Sequence, residues 1–363
     1  MFVKERFTLD PRVKAELYEK IPQFGYDGYG EFIFYRTYSR QRRDGGQENW
    51  ADCVIRVTEG TFSIRKDWYI KNHITWDQEF WQEYARRFSF FMFDMYWLPP
   101  GRGLWAMGTD FVYERGSMAL YNCAYTDLGK SFSTDVAWLM DCLMHGVGVG
   151  FGPHRDDDLE LYIPRGCESV YEIPDNREGW CESVRLLLNS YLLRDQRPLR
   201  FEYGKIRAKG LPIKGFGGVA SGPEPLEKLH RGIIESLERF QESKDFDSVR
   251  LKVDIANRVG CCVVAGNVRR SAELACCPIR DQTFLNLKDY DIYPDRAEYG
   301  WMSNNTSILD HDEDFDMLGE IARRVVIRGE PGAFNRCNLK YGRIGKKDKV
   351  REDKAVGLNP CGN

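Results

Sequence analysis

The segment Val147-Gly148-Val149-Gly150-Phe151 constrains the fold more than any other stretch of this chain. Glycine in alternation with large apolar residues reads as a buried strand that another backbone approaches closely. A helical pattern precedes it, opening at Ser133-Thr134-Asp135, running through Trp138, Leu139, Cys142 and Leu143 and stopping at Gly146. Helix followed by buried strand predicts an α/β architecture, and the rest of the chain alternates in the same way, with helices expected at 177–193, 224–242, 248–265 and 312–328. Upstream, Thr75-Trp76-Asp77 is an N-cap signal for a long buried helix that carries Phe80, Trp81, Tyr84, Phe88, Phe91, Met92 and Met95, with Pro99-Pro100 as its stop.

These patterns divide the chain into a small, partly helical cap at 1–75 and an α/β body at 76–363. The cap is punctuated by Gly25, Gly28, Gly30 and Gly45-Gly46 around an aromatic, basic stretch at 32–43. Residues 341–354 are charge-rich and read as a solvated loop.

At 363 residues the chain fits one large or two medium domains. Its 52 basic and 55 acidic residues leave a net charge of -3, so bulk electrostatics points neither to a nucleic-acid polymer nor to an anionic membrane, and a nucleotide would need a local site. The first residues carry no apolar signal core, and the most apolar stretch, 88–98, is broken by Asp94. A soluble, cytoplasmic protein is expected. Eleven irregularly spaced cysteines fit reduced thiols better than a disulfide framework.

Two Gly-rich basic segments have the composition of anion sites: 206–218, with Arg207, Lys209, Lys214, Gly217 and Gly218, and 265–271, with Gly266, Asn267, Arg269, Arg270 and Ser271. The same composition also makes plain solvated turns. Adjacent cysteines at 261–262 and 276–277 point in different directions and lack metal-ligand spacing, so buried structural thiols and no metal site are expected. Cys123 and Cys361 differ from these, because each sits beside Asn or Pro where a turn can present a thiol to a ligand.

Taken together, the segments resemble the catalytic chain of adenosylcobalamin-dependent ribonucleotide reductases, specifically the monomeric ribonucleoside-triphosphate reductase type. The matching stretches run in the family's order: residues 35–40, 100–105, 108–110, Asn122-Cys123, 146–151, 215–223, 263–274, Ser303-Asn304-Asn305, Gly329-Glu330-Pro331-Gly332 and Asn359-Pro360-Cys361-Gly362. The resemblance implies the first half of a ten-stranded α/β barrel, an insertion at about 153–200 that stands in for a partner subunit, and the start of a central finger loop at 357–363. It also implies the reduction of ribonucleoside triphosphates to deoxyribonucleotides, the precursors of DNA. Cys361 matches the thiol that the cobalamin cofactor, through homolysis of its Co–C bond, converts to a thiyl radical for abstraction of the 3′ hydrogen. Cys123 matches one member of the dithiol that reduces the 2′ position, Asn359 matches a sugar-binding residue, and Asn122 helps hold the sugar. Arg207, Lys209 and Lys214, with Gly217 and Gly218, would bind a deoxynucleotide effector. Residues 266–271 would relay its identity to the substrate, a coupling of roughly 1–3 kcal/mol. A thioredoxin-like dithiol is the implied reductant.

One position departs from the pattern. The family continues Asn-Pro-Cys-x-Glu, its carboxylate acting as general base on the 3′ hydroxyl, and this chain has Asn363 there. An amide accepts no proton in that role. The partner thiol of Cys123 and the re-reducing cysteine pair lie further along in the family, so turnover is expected only with a complementing C-terminal piece. A nucleotide-binding remnant without chemistry, and a catalytic chain served by a separate metal-containing radical generator, are the alternative expectations.

Overall fold

A computed structural model describes residues 2–42, 45–212, 219–243, 246–265, 271–341 and 355–362. The glycine-alternating segment is a strand, β2 (Gly148–Gly152), and it lies second in a five-stranded, wholly parallel sheet. The order is β1 (Cys123–Asp127), β2, β5 (Glu273–Pro278), β6 (Ser303–Leu309) and β7 (Gly332–Asn335). Five parallel strands are what half of a ten-stranded barrel requires, and the sheet is open. Parallel pairing needs crossovers. They are supplied by the helix Phe132–Met144 between β1 and β2, by the insertion and the helix Ser248–Val264 between β2 and β5, by the short helix Gln282–Asn286 and two 3₁₀ turns between β5 and β6, and by the helix Leu318–Arg328 between β6 and β7.

The insertion carries its own parallel pair, β3 (Ser169–Glu172) with β4 (Leu199–Glu202), joined by the helix Arg177–Leu192. The amphipathic helix Glu224–Glu242 buries Leu226, Leu229, His230, Ile233 and Leu237 at helical spacing. His230 is a core residue: its Nε2 lies 2.9 Å from Ser183 Oγ, its Nδ1 lies 2.7 Å from Tyr203 Oη, and burial pushes its pKa down to about 3.

Residues 1–122 form one compact unit and residues 123–363 another. The first is helical, built on Pro11–Glu19, Trp50–Lys71 and Gln78–Phe93. It runs past the expected limit at 75 because Trp81, Ala85, Met92 and Phe93 of its third long helix enter the same core as Leu9, Trp50, Val54 and Phe62. That helix starts where expected, with the Asp77 side chain accepting from Phe80 N–H at 3.0 Å. It stops earlier than the prolines, because Met95 takes a left-handed φ of 59° that ends the turn. The helix expected at 312–328 divides into a 3₁₀ turn, Asp312–Met317, and the helix Leu318–Arg328. The Asp314 carboxylate accepts the backbone N–H groups of Asp310 and His311 and pins the tight turn. Among the described residues no helix is long and apolar enough to cross a membrane.

Candidate active site

Cys123 opens β1 and Gly148 opens β2, and the parallel register sets them side by side. Successive strand residues face opposite sides. Val149 and Phe151 fill the core on one side, while Gly148, Gly150 and Gly152 leave the other side bare. Residues 357–360 lie in the trench so formed. A Cβ at Gly150 would stand 1.9 Å from the Leu358 carbonyl oxygen and 2.9 Å from Asn359 Cα. One at Gly148 would stand 3.2 Å from Pro360 Cγ and 3.5 Å from Cys123 Sγ. Gly357 is under the same constraint from the other direction, since a Cβ there would sit 2.2 Å from the Tyr125 ring. The Cys123 sulfur and the Pro360 ring thus lie within 3.5 Å of a single point, and Cys361 is the next residue in the chain.

The tip is a tight turn. The Asn359 side-chain oxygen accepts the Cys361 N–H at 3.1 Å, and its carbonyl accepts the Gly362 N–H at 2.8 Å. Gly362 has a φ of 76°, a region that favours glycine. The turn leaves Cys361 exposed. Asn359 therefore shapes the loop that carries the thiol, in addition to whatever it offers a ligand.

Three contacts hold the root of this segment. The Cys276 thiol donates to the Leu358 carbonyl at 3.7 Å, and Leu358 packs on a cluster of Leu274, Cys276 and Ile308 with Tyr125 and Phe334. Arg336 Nη1 donates to the Val356 carbonyl at 2.7 Å. The Arg336 guanidinium is itself gripped by Asp310, Nη2 to Oδ2 at 2.8 Å and Nε to Oδ1. Sequence reasoning missed Tyr125, Cys276, Asp310 and Arg336. For Cys276 the sequence carries a signal, its alternation with Leu274 on one face of β5, although a buried thiol beside Cys277 reads equally as structural. Among that group, burial pushes Cys261 up to about 12 and raises Cys262, Cys276 and Cys277 as well. These thiols stay protonated.

The other expected site residues fall in several places. Arg207 lies in the insertion, its Nε 2.7 Å from Asp175 Oδ2 and its Nη1 donating to the Pro212 carbonyl at 3.1 Å. Lys209 is exposed nearby, at the base of an antiparallel hairpin closed by Gly210 N–H to Ala220 O and Ala220 N–H to Leu211 O. Lys214, Gly217 and Gly218 lie outside the described residues, as do Gly266, Asn267, Arg269, Arg270 and Asn363. Ser271 is described, and its hydroxyl donates to the Leu143 carbonyl at 2.7 Å, closing the end of the Phe132–Met144 helix. Asn122 is exposed at the end of the first unit. Of the expected site residues that the structure describes, Cys123, Asn359 and Cys361 are gathered at the trench.

Behind the sheet lies a buried polar cluster. Glu273 on β5 is fully enclosed, with Oε2 accepting from Asn257 Nδ2 at 3.0 Å and Oε1 without a hydrogen-bond partner among the described residues. Burial pushes its pKa up to about 8, against weaker lowering by Asn257 and Lys288.

The sequence matches the ribonucleotide reductase alpha domain over residues 9–109 and the insertion domain of B12-dependent ribonucleotide reductase over residues 155–237. The second match runs beyond the limit near 200 and takes in the Glu224–Glu242 helix. The chain belongs to the ribonucleotide reductases. It is 39% identical to an adenosylcobalamin-dependent ribonucleoside-triphosphate reductase of Euglena gracilis, over 98% of this chain and 49% of the relative. A probable enzyme of the same name from Dictyostelium discoideum is 37% identical over 99% of this chain and 50% of the relative. A crystal structure of a B12-dependent, class II ribonucleotide reductase superposes with a TM-score of 0.79 at 26% identity, over 98% of this chain and 56% of that one. Within the family the chain is therefore the N-terminal part of the class II type, and it spans about half the length of the curated relatives it matches.

Proposed function

We propose that this chain supplies the radical-bearing half of a reductase that converts ribonucleoside triphosphates to 2′-deoxyribonucleoside triphosphates. The observation that carries the proposal is the glycine trench of β2, in which residues 357–360 bring the Cys361 turn alongside Cys123. Cys361 takes the 3′ hydrogen of a bound ribonucleotide, and Cys123, with a thiol from a C-terminal piece, reduces the 2′ position. Asn359 fixes the turn and holds the sugar, and Asn122, next to Cys123 in the chain, is the second proposed sugar contact. The buried Val149 and Phe151 make the floor rigid, and rigid placement is the protein's main contribution to such chemistry.

Adenosylcobalamin is the proposed cofactor, and when bound it supplies the radical. The residues present fit its approach at one point: the Cys361 side chain is exposed, so a bulky group has access to the sulfur. The relatives' names support this choice. Arg207 and Lys209, at the root of the insertion hairpin, are the proposed contacts for the phosphates of a deoxynucleotide effector, and residues 266–271 carry its influence to the substrate. A thioredoxin-like dithiol would restore the reduced thiols. The insertion supports a monomer, and the eleven irregularly spaced cysteines support a reducing, cytoplasmic setting.

The test is reconstitution. Mixing the chain with a separately expressed C-terminal half of a class II reductase, adenosylcobalamin, a nucleoside triphosphate and a dithiol should yield deoxynucleotide, and Cys361→Ser should abolish it. Tight deoxynucleotide binding with no product from any C-terminal half would mean a binding protein and refute the catalytic proposal.

A further inference from the structure

The trench explains where residues 357–360 run. It leaves open what fixes the height of the Cys361 sulfur above β1 and β2. The carbonyls of Val356 and Leu358 both accept hydrogen bonds from the sheet side, and the stronger donor is the cation Arg336, whose orientation is set by Asp310. Asp310 directly follows β6 and Arg336 directly follows β7, so the pair joins the ends of two neighbouring strands and extends the tie to the loop. A planar guanidinium held in a carboxylate fork presents its remaining N–H in one direction only. The pair is about a quarter exposed, with side-chain values of 29% and 21%, so water competes with it only in part. Slack at Val356 would add to any slack at Leu358, which Cys276 and its neighbours hold, and would reach Cys361, because beyond Leu358 the trench floor is the bare backbone of Gly148 and Gly150.

We propose that Arg336, oriented by Asp310, is a positioning residue for the Cys361 thiol: it sets the distance between Cys361 and Cys123 without touching substrate. This rests on reading Cys123 and Cys361 as facing thiols, and the experiment separates the two ideas. The chain is equilibrated with reduced and oxidised glutathione. Oxidised glutathione takes two electrons from the two thiols, one disulfide forms between Cys123 and Cys361, and two reduced glutathione molecules leave. The ratio at equilibrium gives the effective concentration of one thiol toward the other, with the pairing identified by peptide mapping.

Arg336→Ala should lower that effective concentration by about tenfold, the scale of one charge-assisted hydrogen bond. Arg336→Lys, which keeps a cation but loses the fork, should fall between. Asp310→Asn should resemble Arg336→Ala and add nothing to it in the double variant, as expected if Asp310 acts through Arg336. Urea midpoints measured alongside exclude a global loss of structure, and the Lys and Asn variants serve if the alanine variant does not fold. An effective concentration in all variants equal to that of the unsubstituted chain would overturn the positioning role while leaving the thiol pair intact. Absence of any Cys123–Cys361 disulfide in the unsubstituted chain would overturn both.

Discussion

Gly150→Ala puts one methyl group where the loop now lies. The added Cβ would stand 1.9 Å from the Leu358 carbonyl oxygen, whereas ordinary contact begins near 3.4 Å. The loop must retreat by about 1.5 Å, since the strand is locked from behind by fully buried Val149 and Phe151. No backbone strain is involved, because Gly150 is absent from the positive-φ glycines. Overpacking of this kind costs about 1–3 kcal/mol of stability. A displacement of roughly 1 Å at reacting groups costs on the order of 100-fold in rate. Turnover in the reconstituted enzyme should therefore drop about 100-fold while deoxynucleotide binding, measured by calorimetry, stays unchanged. Gly129→Ala is the control, as a Cβ there meets nothing within 4 Å. Full turnover in Gly150→Ala would refute the idea that the bare strand exists to seat the loop.

Three further outcomes are expected. Cys123→Ser should end multiple turnover in the reconstituted enzyme and leave effector binding intact; unchanged steady-state activity would reject its assigned role. Arg207→Ala should weaken deoxynucleotide binding by about tenfold, the loss of a charge-assisted phosphate contact, and equal affinity by calorimetry would remove Arg207 from the effector site. Burial keeps Glu273 protonated up to about pH 8, against an ordinary 4.5, so between those values the folded chain binds the extra proton and stability declines as pH rises. Glu273→Gln should abolish that decline, about 1.4 kcal/mol per pH unit, and stabilise the chain at pH 7 by up to about 3 kcal/mol. Urea midpoints at pH 5.5 and 7.5 test this, and an unaltered difference between them would show that Glu273 is ionised throughout.

Elements governed by local chemistry were legible in the sequence. Asp77 caps its helix through a side-chain bond to the third residue on, and the helix expected at 224–242 forms over those residues. Gly329, with a φ of 80°, ends the last long helix where expected. The glycine strand was legible too, since only close backbone approach explains three glycines on one face. What could not be read was anything set by long-range partners. The cap's true extent depends on Trp81 and Phe93 meeting Trp50 and Phe62 in one core. Arg336 looked like any charged residue after a strand, because its partners Asp310 and Val356 are 26 and 20 positions away. For Arg207, composition suggests an anion site or a solvated turn and the resemblance implies an effector phosphate, while its ion pair with Asp175, 32 positions away, is not legible in the sequence.

The claim on which the rest depends is that a thiol near residue 361 faces a thiol at the start of β1. A short reagent reactive at both ends toward thiols, applied to the intact chain and mapped by peptide mass spectrometry, tests it directly. A bridge between Cys123 and Cys361, lost in Gly150→Ala, is the predicted result; bridges that join Cys361 only to other cysteines, such as Cys167, would contradict it.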